Sequence, residues 1–441
     1  MKRATNILEI PNSFRADPLT KEQLAEFYED TIEVRTGKRG VSDIDSIYEA
    51  CHEVREHNAH LLMGHWGCGK STELNHLAKR LIDEGFPVKT IYCKQELDII
   101  NIDFSDIMLL LAEKMLELAK EQQVSPSRKV LDTIRDYQSE IVREAKLDLA
   151  AELGVEAGVN VETPKFLQSL LNVYARLKSS VKYSETSSTT IRTKIVTRIG
   201  EWIAAINEIS EHLTDAETGR QPIIIFEDLD KGETGRVFTG HGEILSSFSF
   251  PIIYTFPIAR SYLPEFTEQE AFFQISRLPM IEVKRLDGTP NTDGYSVIRA
   301  IVERRAVLSL FAPLPDENNM DVLDLLIEKT GGSLRNLFSA INDAATIARR
   351  RKEELVTEET AEIALERIKS SLSMRLEGPD YPFLAEIYLG KHRGIADQKH
   401  LQRMMQAGAV LEYNGKRWHD VHPLIVDFLK EIGELKVEKN P

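Results

Sequence analysis

Nine consecutive residues have the types and spacing of a phosphate-binding loop. The stretch Gly64-His65-Trp66-Gly67-Cys68-Gly69-Lys70-Ser71 matches the pattern G-x-x-x-x-G-K-[ST], and Thr72 follows it. Glycines let the backbone curl so that successive N–H groups point at phosphate oxygens, and a helix that begins there adds the positive end of its dipole. We therefore predict that residues 64–72 bind nucleotide phosphates, with Lys70 at the β- and γ-phosphates and the Ser71 hydroxyl on Mg²⁺. Cys68 fits the loop as a small filler better than as a redox sensor.

A second candidate is the run of acids that ends an apolar stretch. Ile223–Phe226 has the composition of a buried strand, and Glu227, Asp228 and Asp230 follow it. Carboxylates at a strand tip beside a phosphate loop can hold Mg²⁺ through water, and can orient or deprotonate an attacking water. We predict the metal side for Glu227, water activation for Asp228 and a structural or salt-bridging role for Asp230. The usual order places Asp first, so the division of roles between Glu227 and Asp228 stays open, as does a plain acidic turn.

Two further residues are candidates for sensing a γ-phosphate. Thr255 ends the next apolar strand, and ligands of open parallel sheets lie at the carboxyl ends of the strands. Ser333 is a typical N-cap residue, which puts Arg335 in a first helical turn, where a cation opposes the helix dipole and needs a compensating anion. We predict that both Thr255 and Arg335 act at the γ-phosphate. The alternatives are a satisfied core hydroxyl and a salt bridge to a partner.

Arg260 and Arg277 are candidates for reaching the phosphate of a neighbouring subunit. Arginines in such positions are more often ordinary surface residues than residues that contact a neighbouring subunit's phosphate. Both interpretations stay open for Arg260 and Arg277.

The elements that must position these residues alternate between strands and helices. Short apolar runs at His60–Met63 and Pro87–Cys93 indicate further strands, and apolar periodicity predicts helices over Lys70–Asp83 and Ile107–Lys120. Strands without polar alternation are typical of a parallel sheet that is covered on both faces. The pattern therefore predicts a doubly wound α/β core.

Residues 125–220 interrupt that alternation. Charged helical stretches at Ser127–Leu149 and Ile191–Leu213 surround a small-residue segment, Ala150–Val161, and a Ser/Thr-rich turn at Ser184–Thr190. We interpret this region as a helical insertion into the α/β domain. It is either an arm that receives a partner or signal, or a solvated helical hairpin.

The C-terminal third is first purely helical, from about Asn318, and then changes after Glu377. The predicted order there is helix Tyr381–Leu389, helix Asp397–Gln406, strand Ala409–Tyr413, strand Lys416–Val421 and helix Leu424–Ile432. Asn414-Gly415 between the two strands is a strong hairpin signal. Helices followed by a hairpin, the wing, predict a winged-helix module.

The predicted boundaries follow these changes of pattern. They are 1–50 for an N-terminal helical lead-in, 51–124 for the first part of the core, 125–220 for the insertion, 221–317 for the second part of the core, 318–375 for a helical lid and 376–441 for the winged helix.

Composition and charge exclude several classes of protein. The 441 residues are 42% hydrophobic and 28% charged, with a net charge of -15, which predicts a packed chain of two or three domains. This acidic balance argues against a protein that coats nucleic acid or an anionic membrane. The N-terminus lacks a signal-peptide core, no run approaches the roughly 18 apolar residues of a membrane span, and three cysteines without C-x-x-C spacing fit reduced thiols. We expect a cytoplasmic protein without a membrane partner.

Together, these motifs resemble the AAA+ superfamily, particularly the branch shared by the origin-recognition initiator ATPases and the STAND and KAP groups of signalling NTPases. The resemblance rests on Gly64–Thr72, Ile223–Asp230, Thr255, Gly331–Arg335 and the winged helix. It implies a P-loop ATPase that binds ATP and Mg²⁺ where the α/β core meets the lid, couples hydrolysis to conformational change, and assembles into a homo-oligomer on ATP binding. Two features depart from the family: Glu227 replaces the expected Asp, and the insertion separates the acids from the loop.

The winged helix leaves a DNA-binding role open. Its second helix offers Lys399, His400 and Arg403, and its wing offers Lys416 and Arg417. Between residues 377 and 439, however, nine Lys and Arg stand against ten Asp and Glu, whereas a dedicated DNA reader is usually clearly basic. A protein contact or an autoinhibitory use of the module is the competing interpretation.

Three functions are therefore compatible with the sequence. The first is a nucleotide-driven switch that acts on a protein partner or effector. The second is a DNA-binding loader or initiator-like ATPase of a replicon, mobile element or defence system. The third is a nucleotide-binding scaffold with vestigial hydrolysis.

Overall fold

A five-stranded parallel sheet forms the centre of the protein. The computed structural model describes residues 1–36, 43–53, 58–144, 164–183, 185–231, 234–315, 320–390, 397–413 and 418–436. The strands are β1 Ala59–Gly64, β2 Val88–Tyr92, β3 Ile223–Glu227, β4 Ile252–Pro257 and β5 Gln274–Leu278, in the order β2-β3-β4-β1-β5. Every residue of β1 and β3 is buried, which agrees with their unbroken apolar sequences. The predicted α/β core is confirmed.

The register of the sheet brings the two predicted motifs to one edge. β1 lies between β4 and β5, with Gly64 opposite Pro257 on one side and Leu278 on the other. β2 pairs with β3 so that Tyr92 lies opposite Glu227. Since all five strands run in the same direction, the loop after Gly64 and the acids after Phe226 leave the same edge of the sheet.

Helices cover both faces of the sheet. Those of the core are α4 Asp43–Cys51, α5 Lys70–Asp83, α6 Cys93–Glu96, α7 Phe104–Glu121 and the short α12 Gly242–Ser246. Four 3₁₀ turns lie at Thr234–Phe238, Ile258–Tyr262, Pro264–Ala271 and Leu308–Leu310. The apolar residues of α7 are buried almost without exception, because this helix lies between the sheet and the insertion.

The described residues of the insertion form four helices that pack with α7. They are α8 Arg128–Glu144, α9 Pro164–Tyr183, α10 Glu185–Thr197 and α11 Ile199–Leu213. The predicted turn at Ser184–Thr190 is wrong for residues 185–190, which are helical. Ile191 and Ile195 of α10 are fully buried, and this packing outweighs the weak helix propensity of Ser and Thr. Ser184, the segment Ala150–Val161 and the last residues of the predicted first helix lie outside the described residues.

The N-terminal residues share a hydrophobic core with the lid. They form α1 Ile10–Ser13, α2 Lys21–Phe27 and α3 Ile32–Thr36. The helix before the predicted lid is α13 Thr292–Glu303, and the helices within it are α14 Val322–Thr330, α15 Leu334–Arg351 and α16 Glu358–Ser373. Ile10 and Phe14 pack among apolar residues of α13, α14 and α15. The lead-in is therefore part of the lid's packing, a contact that the sequence pattern did not predict.

The C-terminal module has the predicted winged-helix order. It comprises α17 Asp380–Gly390, α18 Gln398–Ala407, β6 Val410–Tyr413, β7 Trp418–Val421 and α19 Pro423–Glu431, with β6 and β7 antiparallel. Every residue of the two strands is buried. The Asn414-Gly415 turn and the wing residues Lys416 and Arg417 lie outside the described residues. The domain boundaries given above remain predictions.

Two other expectations concern the chain as a whole. Cys51, Cys68 and Cys93 are buried free thiols. Within the described ranges, none of the helices is long and apolar enough to traverse a bilayer.

Candidate nucleotide-binding site

The phosphate loop connects the end of β1 to the start of α5. Its backbone turns through left-handed conformations at Gly67 (φ +86°) and Gly69 (φ +107°), which residues with side chains rarely adopt. A Cβ at Gly67 would also lie 2.5 Å from the Cβ of Arg335, so the lid packs directly on the loop. The glycines of the motif therefore allow both the curl of the loop and the close approach of α15.

The loop lysine is held by the protein itself. Lys70 is 5% exposed, and its Nζ donates to the carbonyl oxygens of Gly64 and His65, both at 2.9 Å. Nζ also lies 2.8 Å from Asp230 Oδ2. Burial alone would lower the pKa of Lys70, but Asp230 and the nearby Glu227 contribute to an opposing shift, and the pKa stands above its ordinary value. The predicted salt-bridging role of Asp230 thus has a specific partner, the lysine of the phosphate loop.

The part-buried Ser71, in the first turn of α5, is hydrogen-bonded to the buried Glu227. The Ser71 hydroxyl donates to Glu227 Oε2 at 3.0 Å, and Glu227 Oε1 is buried without a hydrogen-bond partner. Burial, with the nearby charge of Asp230, raises the pKa of Glu227 to about 8. An unsatisfied buried carboxylate oxygen next to a hydroxyl fits Mg²⁺, which binds proteins through one or two such oxygens and keeps waters and phosphates as its other ligands. Among the described residues no group of three or more His, Cys, Asp and Glu forms a separate metal cluster.

Asp228 lies on the wall of the cleft rather than beneath it. Its backbone is left-handed (φ +71°), which turns the chain sharply at the end of β3. Its carboxylate forms an ion pair with Lys231. Glu227 and Asp228 therefore have different surroundings, with Glu227 against Ser71 and Asp228 facing the open space. This difference is compatible with the predicted division into a metal-side acid and a water-side acid.

Thr255 is fully buried below the acidic turn. Its hydroxyl accepts a hydrogen bond from Leu229 N (3.0 Å) and donates one to Phe226 O (3.2 Å). Both partners belong to the backbone that carries Glu227 and Asp228. The geometry thus favours the alternative reading of Thr255, a satisfied core hydroxyl that fixes the acidic turn.

Arg335 lies where the lid meets the phosphate loop. Ser333 is the N-cap of α15, as predicted, and accepts a hydrogen bond from Asn336 N at 3.4 Å. The Arg335 guanidinium centre lies 4.9 Å from the ring centroid of Trp66, and its Nε is buried without a hydrogen-bond partner. Trp66 is itself 58% exposed. The predicted need for an anion near Arg335 therefore persists in the structure, since the ring face is a weak substitute for one.

The two candidate finger arginines have partners within the chain. Arg277 donates to Ser261 Oγ at 3.2 Å and lies 3.7 Å from Glu412 of β6. Arg260 packs over Gly235, where a Cβ would lie 2.2 Å from its Cδ. Arg277 thus connects the core to the wing.

The cleft in front of the loop is lined in part by the N-terminal residues. It has a volume of about 1000 Å³, which is ample for a nucleotide. Its lining includes Lys70, Ser71, Asp228 and Arg335 together with residues 15–22, 27–29, 31 and 35. The sequence offers no local signal for this contribution of the lead-in, because the residues come from short helices and turns far from the motif.

The phosphate loop also contacts the winged helix. Glu412 N donates to His65 Nε2 at 2.7 Å, and Met280 N donates to Glu412 O at 3.2 Å. Burial, with the neighbouring charge of Lys70, lowers the pKa of His65 to about 3, so its ring is a neutral acceptor. The phosphate loop and strand β6 of the wing are therefore hydrogen-bonded directly through His65. Lys70 donates to the backbone carbonyl of the same residue.

A second buried histidine joins the lid to the winged helix and predicts a pH dependence. His422 accepts from Leu424 N (3.3 Å) and its Nε2 lies 3.0 Å from Asn336 Nδ2. Burial lowers its pKa to about 4, while Asp427 opposes this shift. Below about pH 6.5 the His422 ring therefore binds a proton in the unfolded chain, whereas in the folded chain it stays neutral down to about pH 4. We expect His422 to cost about 2 kcal/mol of stability between pH 7 and pH 5.

Chemical denaturation at these two pH values tests this expectation. His422→Asn, which keeps an N-cap side chain without titrating, should reduce the loss of stability between pH 7 and pH 5. His212→Asn, at an exposed histidine, serves as the control. Equal losses in all three proteins would contradict the assignment.

No protein-family model and no curated protein matches this sequence. Solved structures do match over most of their length. The ORC2 protein of Aeropyrum pernix in its ADPNP–ADP complexes is 11% identical, with 91% of this chain and 96% of that chain covered and a TM-score of 0.38. The ADP form of the same protein is 13% identical, with 94% and 99% covered and a TM-score of 0.37. CDC6P from Pyrobaculum aerophilum is 11% identical, with 88% and 93% covered and a TM-score of 0.37. The solved structures that match this chain are thus ORC2 and CDC6P proteins.

Proposed function

We propose that the chain is a Mg²⁺-dependent ATPase that works as a nucleotide-driven conformational and assembly switch. The observation that carries this proposal is the set of contacts beside the glycine loop, where Lys70 and Ser71 line the cleft and the buried Glu227 accepts a hydrogen bond from Ser71. Glu227 Oε1 has no hydrogen-bond partner there. In this proposal, residues 64–72 bind the phosphates and Ser71 with Glu227 holds Mg²⁺, which would neutralise phosphate charge.

The residues of the chain have separate tasks in this mechanism. Lys70 leaves Asp230 and the loop carbonyls and binds the β- and γ-phosphate oxygens instead. Asp228 orients an attacking water and accepts its proton, and Arg335 exchanges the Trp66 face for the γ-phosphate. Thr255 keeps the acidic turn in place through the backbone of Phe226 and Leu229.

The contacts of the phosphate loop suggest how a bound nucleotide could alter the lid and the winged helix. Arg335 belongs to the lid, and His65 is bonded to the wing strand through Glu412. A movement of Lys70 or Arg335 toward phosphate therefore changes contacts of both modules. We infer a switch that assembles into a homo-oligomer on ATP binding and acts on a protein partner.

DNA loading is the second candidate, and the surface of α18 bears on it. Lys399 is exposed, but His400 and Arg403 both engage Asp380, and α18 packs against the turn Ile258–Tyr262. The wing strands are buried against the core. DNA contact through this helix would require the module to move, so these contacts favour the protein switch.

One experiment separates the candidates. We expect the purified protein to hydrolyse ATP and to increase in mass by analytical ultracentrifugation with ATP, without stimulation by duplex DNA. DNA-stimulated turnover with an affinity that falls steeply with salt would instead support the loader. In that case Lys399→Glu with Arg403→Glu should weaken DNA binding. Arg349→Glu with Arg350→Glu tests the basic residues in the last turn of α15 in the same way. Binding of ATP without turnover would support the vestigial scaffold.

A further inference from the structure

Arg35 is a buried cation attached to the back of the phosphate loop. It lies on α3 and is 1% exposed. Its Nη2 donates to Cys68 O at 2.6 Å and its Nε donates to Thr31 Oγ1 at 2.7 Å, while Nη1 donates to Pro279 O. One guanidinium therefore connects three separate parts of the chain: the lead-in, the phosphate loop and the end of β5.

The acceptors of Arg35 are all neutral oxygens. The nearby buried carboxylate of Glu73 uses both its oxygens elsewhere, accepting from Tyr28 OH at 2.9 Å and from Thr31 Oγ1 at 3.3 Å. Burial lowers the pKa of Arg35, and the nearby carboxylate of Glu73 opposes that shift. A guanidinium stays charged in proteins, so the protein maintains a cation here at a considerable desolvation cost.

The position of this cation is directly behind the glycine at the turn into α5. A Cβ at Gly69 would lie 3.6 Å from Arg35 Nη2. Arg35 binds the carbonyl oxygen of the peptide between Cys68 and Gly69. Because the C=O and N–H of a trans peptide point in opposite directions, the N–H of Gly69 faces away from the guanidinium. Arg35 is also one of the residues that line the cleft.

We propose that Arg35 is a positioning residue for the β-phosphate: it orients the peptide after Cys68 and places a positive charge behind the loop that a polyphosphate compensates. This inference rests on the proposed nucleotide binding and adds a specificity to it. Arg35 acts through the loop without touching the ligand. Its contribution is therefore concentrated on the β-phosphate and is small for a nucleoside monophosphate.

The chain contains a matched control for this role. Arg305 is also a buried arginine of the same cleft, 6% exposed. It donates to the carbonyl oxygens of Phe27 and Ile301, and its guanidinium centre lies 5.0 Å from the ring centroid of Phe338. Arg305 thus holds the lead-in as Arg35 does, but its bonds do not reach the phosphate loop.

The test compares the affinities of the full-length protein for ADP and AMP by calorimetry, because their ratio measures what the β-phosphate contributes. We expect Arg35→Gln to reduce this ratio at least tenfold. Arg35→Lys keeps the charge but loses the planar guanidinium whose three nitrogens reach three separate acceptors, and should give an intermediate value. Arg305→Gln should leave the ratio within about twofold of the wild type. Unfolding midpoints of the ligand-free proteins show whether each variant is folded.

The outcomes are distinct. An unchanged ADP/AMP ratio in folded Arg35→Lys, or an equal fall in Arg305→Gln, would overturn the inference while leaving nucleotide binding intact. A wild-type protein that binds neither ADP nor ATP would overturn the proposed function itself.

Discussion

Replacing Lys70 with alanine is expected to lower ATP affinity by about 100-fold or more and to abolish turnover. Lys70 is the charged donor at the end of the loop, and hydrogen bonds from charged donors are roughly twice as strong as neutral ones. Its Nζ already lies among the loop carbonyls and Asp230, so a short movement brings it to a bound phosphate. Equilibrium binding of ADP and steady-state turnover of ATP measure the two effects.

Substitutions of Asp228 and Glu227 should have different effects in the same binding and turnover assays. Asp228→Asn is expected to retain nucleotide binding and lose turnover, because Asp228 faces the cleft away from Ser71. Glu227→Gln should weaken the dependence on Mg²⁺, because Glu227 is the partner of Ser71. Lys79→Ala, at an exposed lysine of α5 paired with Asp83, is the control for a lost lysine. Unchanged turnover in both Lys70→Ala and Asp228→Asn would exclude this cleft as the catalytic site.

Asp230→Asn is expected to have two effects of opposite sign. Without nucleotide, Lys70 loses its buried ion pair with Asp230, and breaking such a pair typically costs about 3–5 kcal/mol of stability. With nucleotide, Lys70 no longer has to leave a carboxylate, so the affinity for ADP should rise about tenfold, or ~1.4 kcal/mol. The increase in unfolding temperature caused by ADP should therefore be larger than in the wild type.

Thermal unfolding with and without ADP, together with calorimetry, measures both effects of Asp230→Asn. Asp83→Asn provides the control, because it breaks an exposed Lys–Asp pair on the same helix as Lys70. Surface pairs contribute little, so this variant should change neither quantity appreciably. Weaker ADP binding by Asp230→Asn would mean that Asp230 stabilises the nucleotide-bound state and does not compete with phosphate for Lys70.

The parts of the site that the sequence predicted are those whose signal is local. The loop at Gly64–Thr72 and the acids after Phe226 are each contained in about ten residues, and the parallel sheet brings them together. Ser333 as the N-cap before Arg335 was likewise a local inference. In these cases residue type and spacing almost determine the backbone, so the sequence alone suffices.

The parts that escaped prediction depend on contacts between distant residues. The lysine partner of Asp230, the bond from Glu412 to His65 and the three acceptors of Arg35 follow from packing, not from spacing. Thr255 shows the limit most clearly. It was predicted to end its strand, but β4 continues to Pro257. Whether its hydroxyl meets a ligand or the backbone depends on the acidic turn that follows the neighbouring strand β3.

The position of β1 in the sheet has a consequence for synthesis. This strand ends at Gly64, but its neighbours are β4 and β5, which end at Pro257 and Leu278. At roughly 5–20 residues per second, translation needs about 10–40 s to supply those partners. During that interval the apolar strand and its loop leave the ribosome without a sheet to join. The insertion lengthens this delay, so the chain is more exposed to misfolding and has a greater need for chaperones than a compact version of the same core.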